Sequence, residues 1–392
     1  MNRFFVSLTN VFVAASILGS AQAYAGVETR VGNFFYKRNA QKAVESYTDN
    51  TVLKTIDKLV ENMQNLNTKA IILQGDQNEK NLLVTTNAWR NASATFNMSQ
   101  SFLYGPAAHY DFHKQLAIWP MDKVLVDNAL NAMSKGIIDM DSKQLRKMTA
   151  SMRGLNTVKY LLFEGGLERN IGDLNQTKLH YLVAATGALV IEAIDFQASW
   201  IGTDNLSSEK RKIAKENSLK RHTAYAKEFK NPGKPYSRYF SVSVPLQELI
   251  QESTTVLEDI LPVLEELATR AELGKLNYWE SIDPYSDILN RIKGVENSYL
   301  GGVPGSRGTS FSELVAEKDK VLDERIKTAF AHATKRIEVI RDLKETKQEK
   351  RELAVKIAAS ECEKLLSRLM VATPLVTADP AVEPFAPYGS NI

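Results

Sequence analysis

Helical periodicity governs this sequence almost from end to end. After Pro245, Leu246, Ile250, Leu257 and Leu264 recur at four- and seven-residue spacing, while Glu248, Glu252, Asp259 and Glu266 hold the opposite face of a helix. From Ser310, a Ser-x-x-Glu capping box (Ser310, Glu313) opens a second stripe of Phe311, Leu314, Leu322, Ile326, Phe330 and Ile337. Strand-type alternation is almost missing and hairpin turn signals are few. Such a chain is expected to be all-α, because each helix must bury its apolar stripe against another helix. The pattern predicts helices over 49–73, 78–104, 106–118, 123–134, 141–163, 174–201, 207–229, 245–273, 284–299, 310–341 and 346–371. Gly105-Pro106 and Trp119-Pro120 bracket the third of these, and Asn231-Pro232-Gly233-Lys234-Pro235 is the strongest internal break. Pro262 is expected to kink its helix. Long helices with short connections predict two packed helical-bundle halves, 26–205 and 206–372. Pro374, Pro380, Pro384 and Pro387 interrupt an aperiodic small-residue tract, so 373–392 is expected to be an extended or disordered tail.

The first 25 residues differ in kind. Arg3 precedes an apolar run from Phe4 to Leu18, followed by small residues at Ala21, Ala23 and Ala25, the pattern of a cleavable secretory signal. A retained membrane anchor is the alternative, but it needs about 20 apolar residues. Beyond this segment no run is expected to span a bilayer, and no cysteine stands near the cleavage site to carry a lipid. Removing the signal leaves 48 basic against 46 acidic residues, a balance that points to no nucleic-acid partner, and no aromatic-basic module adds one. The lone Cys362 cannot form an intramolecular disulfide. It falls in step with Val355, Ala358, Leu365 and Leu369, so it is expected to be a buried small hydrophobe.

Few residues carry candidate chemistry. His109 and His113, four apart on a predicted helix, have the spacing of two metal ligands, with a solvated pair as the plain alternative. They lack the Glu of a zincin His-Glu-x-x-His, and so its general base. The acidic stripe Glu248, Glu252, Asp259 and Glu266 offers oxygen ligands for a hard cation, or simply a solvated face. No nucleophile elbow and no phosphate-binding loop is present, and the glycine-rich run from Gly301 to Gly308 reads as an interhelical connection.

The segment Met152 to Gly166 resembles the signature helix of the imelysin family, which places Gly-x-His-x-x-Glu here. Gly154 matches, Asn156 stands at the histidine and Lys159 at the glutamate. The same family is suggested by Asn87-Ala88-Trp89-Arg90, Leu103 to Pro106, Ile118-Trp119-Pro120, Glu280-Ser281 through Gly294, and Leu300-Gly301-Gly302, in that order. The resemblance implies an all-α protein of two bundle-like halves, exported to the periplasm or cell envelope of a bacterium. It also implies a link to iron uptake, and an older classification with metallopeptidases. Iron or another divalent metal is the ligand it brings, and an envelope protein the partner.

Residue by residue, only Gly154 carries over, as a close-packing glycine. Imidazole and carboxylate are ordinary ligands for divalent cations, whereas a lysine ammonium offers three donors, no lone pair and a repelling charge. Asn156 and Lys159 either form a polar site in which the ammonium stands in for the metal's charge, or lie on the outer side of a helix whose core side is Leu155, Val158 and Leu162. The leading expectation is a non-enzymatic binding component in iron or metal acquisition. A divergent metallopeptidase and an interaction scaffold with a lost metal site are the alternatives. The signal reading predicts that mass spectrometry of the exported protein finds a start at Tyr24 or Gly26; an intact Met1 on envelope material would revive the anchor.

Overall fold

The computed structural model describes residues 27–164, 167–272, 284–343 and 348–377. The proposed signal, Gly165 and Gly166, the Glu280-Ser281 turn and residues 378–392 lie outside the described residues. The first helices are α1 (Val27–Ser46), α2 (Lys54–Gly75), α3 (Glu79–Ser99), α4 (Pro106–His109), α5 (Phe112–Ala117), α6 (Lys123–Ser134), α7 (Ser142–Lys147) and α8 (Leu155–Leu162). A short antiparallel pair follows, β1 (Phe163–Glu164) and β2 (Leu167–Glu168). The chain continues through α9 (Gln176–Ile201), α10 (Ser208–Glu216), α11 (Tyr225–Phe229), α12 (Ser243–Glu272), α13 (Pro284–Tyr299), α14 (Phe311–Lys318), α15 (Lys320–Asp342) and α16 (Gln348–Thr377). The all-α expectation holds.

Polar side chains set the helix starts. Asn78, Asp122, Asp141, Asn175, Ser207, Ser310 and Asp319 each accept a backbone N–H three residues on, which satisfies one of the donors left over in a first turn. Asp141 and Gln144 close a full capping box.

Two groups of helices carry the core. In the first, α9 lies against α2 and is also met by α7, α8, α10 and α11, while α2 pairs with α3. α9 is apolar around nearly its whole circumference and buried from Leu179 to Trp200 but for His180 and Val183, as an internal helix must be. The expectation of no bilayer-length apolar run fails here, since α9 is long and apolar enough to cross a membrane by length and composition. Its most apolar window is 83% buried inside the protein, so this is the central helix of the core. In the second group α12 and α15 both lie along α16, and α13 packs on α15 and also on α3. Gly294 permits that last contact: a Cβ there would overlap the Met98 carbonyl oxygen, so α13 and α3 meet almost backbone to backbone.

Several expected helices are broken, each for a local reason. The helix over 106–118 divides at Asp111, which is left-handed (φ 53°). That over 141–163 divides because Gly154 starts α8 as its N-cap, at φ 91°. The helix over 207–229 divides into α10 and α11, with Ser218 left-handed between them (φ 52°). That over 310–341 divides at Asp319, which leaves helical geometry (φ −150°, ψ 93°) to cap α15. In the other direction, α16 runs through Pro374 to Thr377, beyond the expected end at 371, because Ala372 and Val376 continue the buried stripe. α1 precedes every predicted helix and was missed.

Cys362 is fully buried with Val355, Ala358, Leu365 and Leu369 on α16, as the spacing implies. Burial, reinforced by Glu361 and Glu363, pushes its thiol up to about 12. Cys362 should therefore react with a thiol reagent only after denaturant is added. Cys362→Ser should destabilise by about 1–3 kcal/mol, the cost of placing a hydroxyl in an apolar site, read from urea unfolding.

Candidate functional site

The site is built outward from the start of α8. Gly154 takes a positive φ and approaches α5 so closely that a Cβ would sit 2.8 Å from the Leu116 carbonyl oxygen. Buried bonds on either side fix that approach. Trp89 Nε1 donates to the Leu155 carbonyl at 2.9 Å, the Tyr181 hydroxyl donates to the Met152 carbonyl at 2.8 Å, and Arg153 pairs with Glu192 of α9 at 2.8 Å. Arg146 shares the same Glu192 oxygen at 2.9 Å. The turn entering α8 is thus clamped to α3 and α9 before the helix begins.

Asn156 spends its amide nitrogen on α5. Nδ2 donates to the carbonyls of Ala117 (3.1 Å) and Ile118 (2.9 Å), acceptors that α5 leaves over where it ends. One turn further, Lys159 is only 7% exposed, and its Nζ lies 5.2 Å from the centre of the Trp119 ring. It is therefore no surface lysine. Leu155, Val158 and Leu162 form the core side of α8 as expected.

Asn156, Lys159 and His113 line one cleft of about 690 Å³. Its first wall comes from α5, α8 and the segment between α5 and α6, and carries His113, Lys114, Trp119, Asn156 and Lys159. The facing wall comes from α12 and α13 and carries Asp259, Glu266, Asp287 and Arg291. Ser93, Phe96, Asn97 and Gln100, from α3 and the turn that follows it, join the two. Asp287 Oδ1 accepts from Asn97 Nδ2 at 2.7 Å and Ser93 Oγ at 3.4 Å, and Asn97 Oδ1 accepts from Arg291 Nε at 3.4 Å. Burial holds the Arg291 guanidinium below the ordinary arginine range, opposed by the nearby charges of Asp287 and Asp259.

The two histidines are not brought together on one helix face. α4 ends at His109 and α5 begins at Phe112, so the helical spacing expected of His109 and His113 is broken at Asp111. His109 is exposed and lies edge-on to Tyr110, with ring centres 4.6 Å apart. Only His113 reaches the cleft, where burial and Lys114 keep its pKa below the usual imidazole range. Among the described residues no group of three or more His, Cys, Asp and Glu side chains is arranged to hold a metal ion.

The acidic stripe of α12 divides. Asp259 and Glu266 line the cleft, whereas Glu248 turns into a buried tyrosine cluster and Glu252 is held close to it. Tyr239 donates to Glu248 Oε2 at 2.7 Å, Tyr225 shares its one hydroxyl proton between the Tyr239 hydroxyl and Glu248 Oε2 (3.3 Å), and Tyr104 donates to Tyr47 at 2.8 Å. Asn97, Asp287 and Arg291 were not singled out from sequence. Asp287 and Arg291 stand four apart on a predicted helix, which reads as an ordinary exposed ion pair.

The family model for imelysin matches residues 52–369. This chain belongs to the imelysin family. No curated protein matches it. A solved structure described as an iron-regulated protein A precursor from Parabacteroides distasonis is similar, with TM-score 0.68 and 18% identity, covering 86% of this chain and 95% of that one. An imelysin-like protein from Psychrobacter arcticum is similar at TM-score 0.51 and 11% identity, covering 91% and 96%. At these identities the likeness concerns the fold.

Glu252 gives the site region a pH signature. Burial first, then the Asp259 and Glu248 carboxylates, raise its pKa from 4.5 to about 7 against the opposing hydrogen bond from Leu103. The folded protein then holds a proton that the unfolded chain has released, so stability falls as pH rises from about 4.5 to about 7 and is level above. Glu252→Gln should remove that slope and stabilise the protein at pH 8 by on the order of 2–3 kcal/mol. Urea unfolding of both proteins at pH 5 and pH 8 checks this; an equal effect at the two pH values contradicts it.

Proposed function

We propose that this chain is a non-enzymatic binding protein of the periplasm or cell envelope, acting in iron-linked uptake, with the cleft around Lys159 as its ligand site. The observation that carries the proposal is the burial of Lys159 in that cleft, at the position where the family signature has a glutamate. A lysine is rarely buried without purpose or partner. Its charge here does in permanent form what a bound cation would do beside Asp259, Glu266 and Asp287. The iron link rests on the family and on the description of the Parabacteroides relative as iron-regulated. The export reading rests on Arg3, the apolar run and the Ala-x-Ala sites.

A divalent metal does not fit the residues at the signature. Asn156 presents its amide hydrogens to two carbonyls, and Lys159 would repel the ion and has no lone pair for it. The ligand is therefore something other than a bare cation held by α8. Joint replacement Asn156→His and Lys159→Glu should restore two ligands and create saturable iron(II) or zinc binding by calorimetry, where the wild type gives none at this cleft. Tight metal binding by the wild type, lost only when His109 or His113 is changed, would contradict the proposal.

A further inference from the structure

Asp287 and Arg291 stand one helical turn apart on α13, the spacing at which a carboxylate and a guanidinium normally pair. Here they do not. Asn97 of α3 is wedged between them, its Nδ2 on Asp287 at 2.7 Å and its Oδ1 taking Arg291 Nε at 3.4 Å and Gln100 Nε2 at 2.9 Å. The close approach of α13 to α3 at Gly294, beside Met98, puts Asn97 in that position. Arg291 is left with one hydrogen bond and, among the described residues, no carboxylate within ion-pair distance. Its remaining four N–H donors belong to a side chain that lines the cleft.

A guanidinium in such a setting has one efficient use. Its planar fork matches a carboxylate with two parallel hydrogen bonds, and a partly desolvated site strengthens both. The same cleft holds Lys159 and Lys114, the latter paired with Asp111 at 2.9 Å, beside the carboxylates of Asp259, Glu266 and Asp287, and offers Trp119, half exposed, as an apolar surface. Asp287 is drawn away by Asn97 and Ser93, so it does not occupy the fork.

We propose that Arg291 is the ligand anchor of the cleft, and that the ligand is a small organic anion gripped through a carboxylate. This rests on the cleft being the ligand site, and it names the chemical class that enters. It also reconciles a cleft hostile to bare cations with a role in iron-linked uptake, since an anionic carboxylate complex meets no repulsion from Lys159.

The test is calorimetric titration of the mature chain with citrate as a tricarboxylate probe and inorganic phosphate as a second anion, at constant ionic strength. Wild type should bind citrate saturably and more tightly than phosphate. Arg291→Gln should weaken citrate by roughly 10- to 100-fold, the usual worth of a charged hydrogen-bonded contact. Arg291→Lys, which keeps the charge without the fork, should fall between the two and serves if the Gln variant does not fold. Citrate should raise the melting temperature of wild type and leave that of Arg291→Gln unmoved, a difference that a purely structural arginine would not produce. Equal citrate binding by wild type and Arg291→Gln, no binding of either anion by wild type, or phosphate binding tighter than citrate would each overturn the proposal. None of these results bears on the metal titration of the Asn156, Lys159 double variant, so failure here and failure of the charge-substitution reading are separable.

Discussion

A lysine ammonium that leaves water must be given its hydration back in another form, and much of this molecule's middle is arranged around that requirement. Lys159 is almost wholly buried at the cleft wall. Taking an ion out of water costs several kcal/mol even after relaxation. The Trp119 ring returns about 0.5–2 kcal/mol of that as a cation–π contact. The carboxylates of Asp259, Glu266 and Asp287 on the facing wall supply a favourable field in a region of reduced dielectric. A glutamate at position 159 would add a fourth carboxylate to a cleft already lined by Asp259, Glu266 and Asp287.

The walls can face each other only because backbones approach at two glycines. Gly154 brings α8 onto the Leu116 carbonyl, and Gly294 brings α13 onto Met98. The first sets Asn156 and Lys159 on the α5 side. The second sets Asn97 between Asp287 and Arg291 and turns an ordinary intrahelical pair into an under-compensated guanidinium. Behind both, α9 provides a rigid apolar centre, and the Glu192 carboxylate joins Arg146 and Arg153 to it. A substitution at either glycine would thus act on the cleft although neither glycine lines it.

The all-α class was legible because amphipathic stripes such as Leu246 to Leu264 and Phe311 to Ile337 have one low-energy resolution, burial against other helices. The breaks at Asp111, Gly154, Ser218 and Asp319 were not, since each sits within a continuous apolar rhythm and its backbone geometry is fixed by caps and close contacts. Gly154, Asn156 and Lys159 were found through their place in the family signature. The burial of Lys159 could not be read locally, because the Trp119 ring beside its ammonium comes from the segment between α5 and α6 and not from α8. His109 and His113 were paired by spacing alone, and a single left-handed residue undoes that spacing. Arg291 was hidden for the opposite reason: its sequence neighbour Asp287 supplies a conventional partner, and only the intrusion of Asn97 from another helix shows that the pair is unmade.

If the Lys159 ammonium fills the electrostatic role of a metal in this cleft, the wild-type protein needs no cation there. Elemental analysis of the mature wild-type protein, purified without chelators from iron-replete cells, addresses it most directly. Iron and zinc should stay well below one equivalent per chain, unchanged by extended dialysis. One retained equivalent of either metal, released on protonation of His113 or on its replacement, would contradict it.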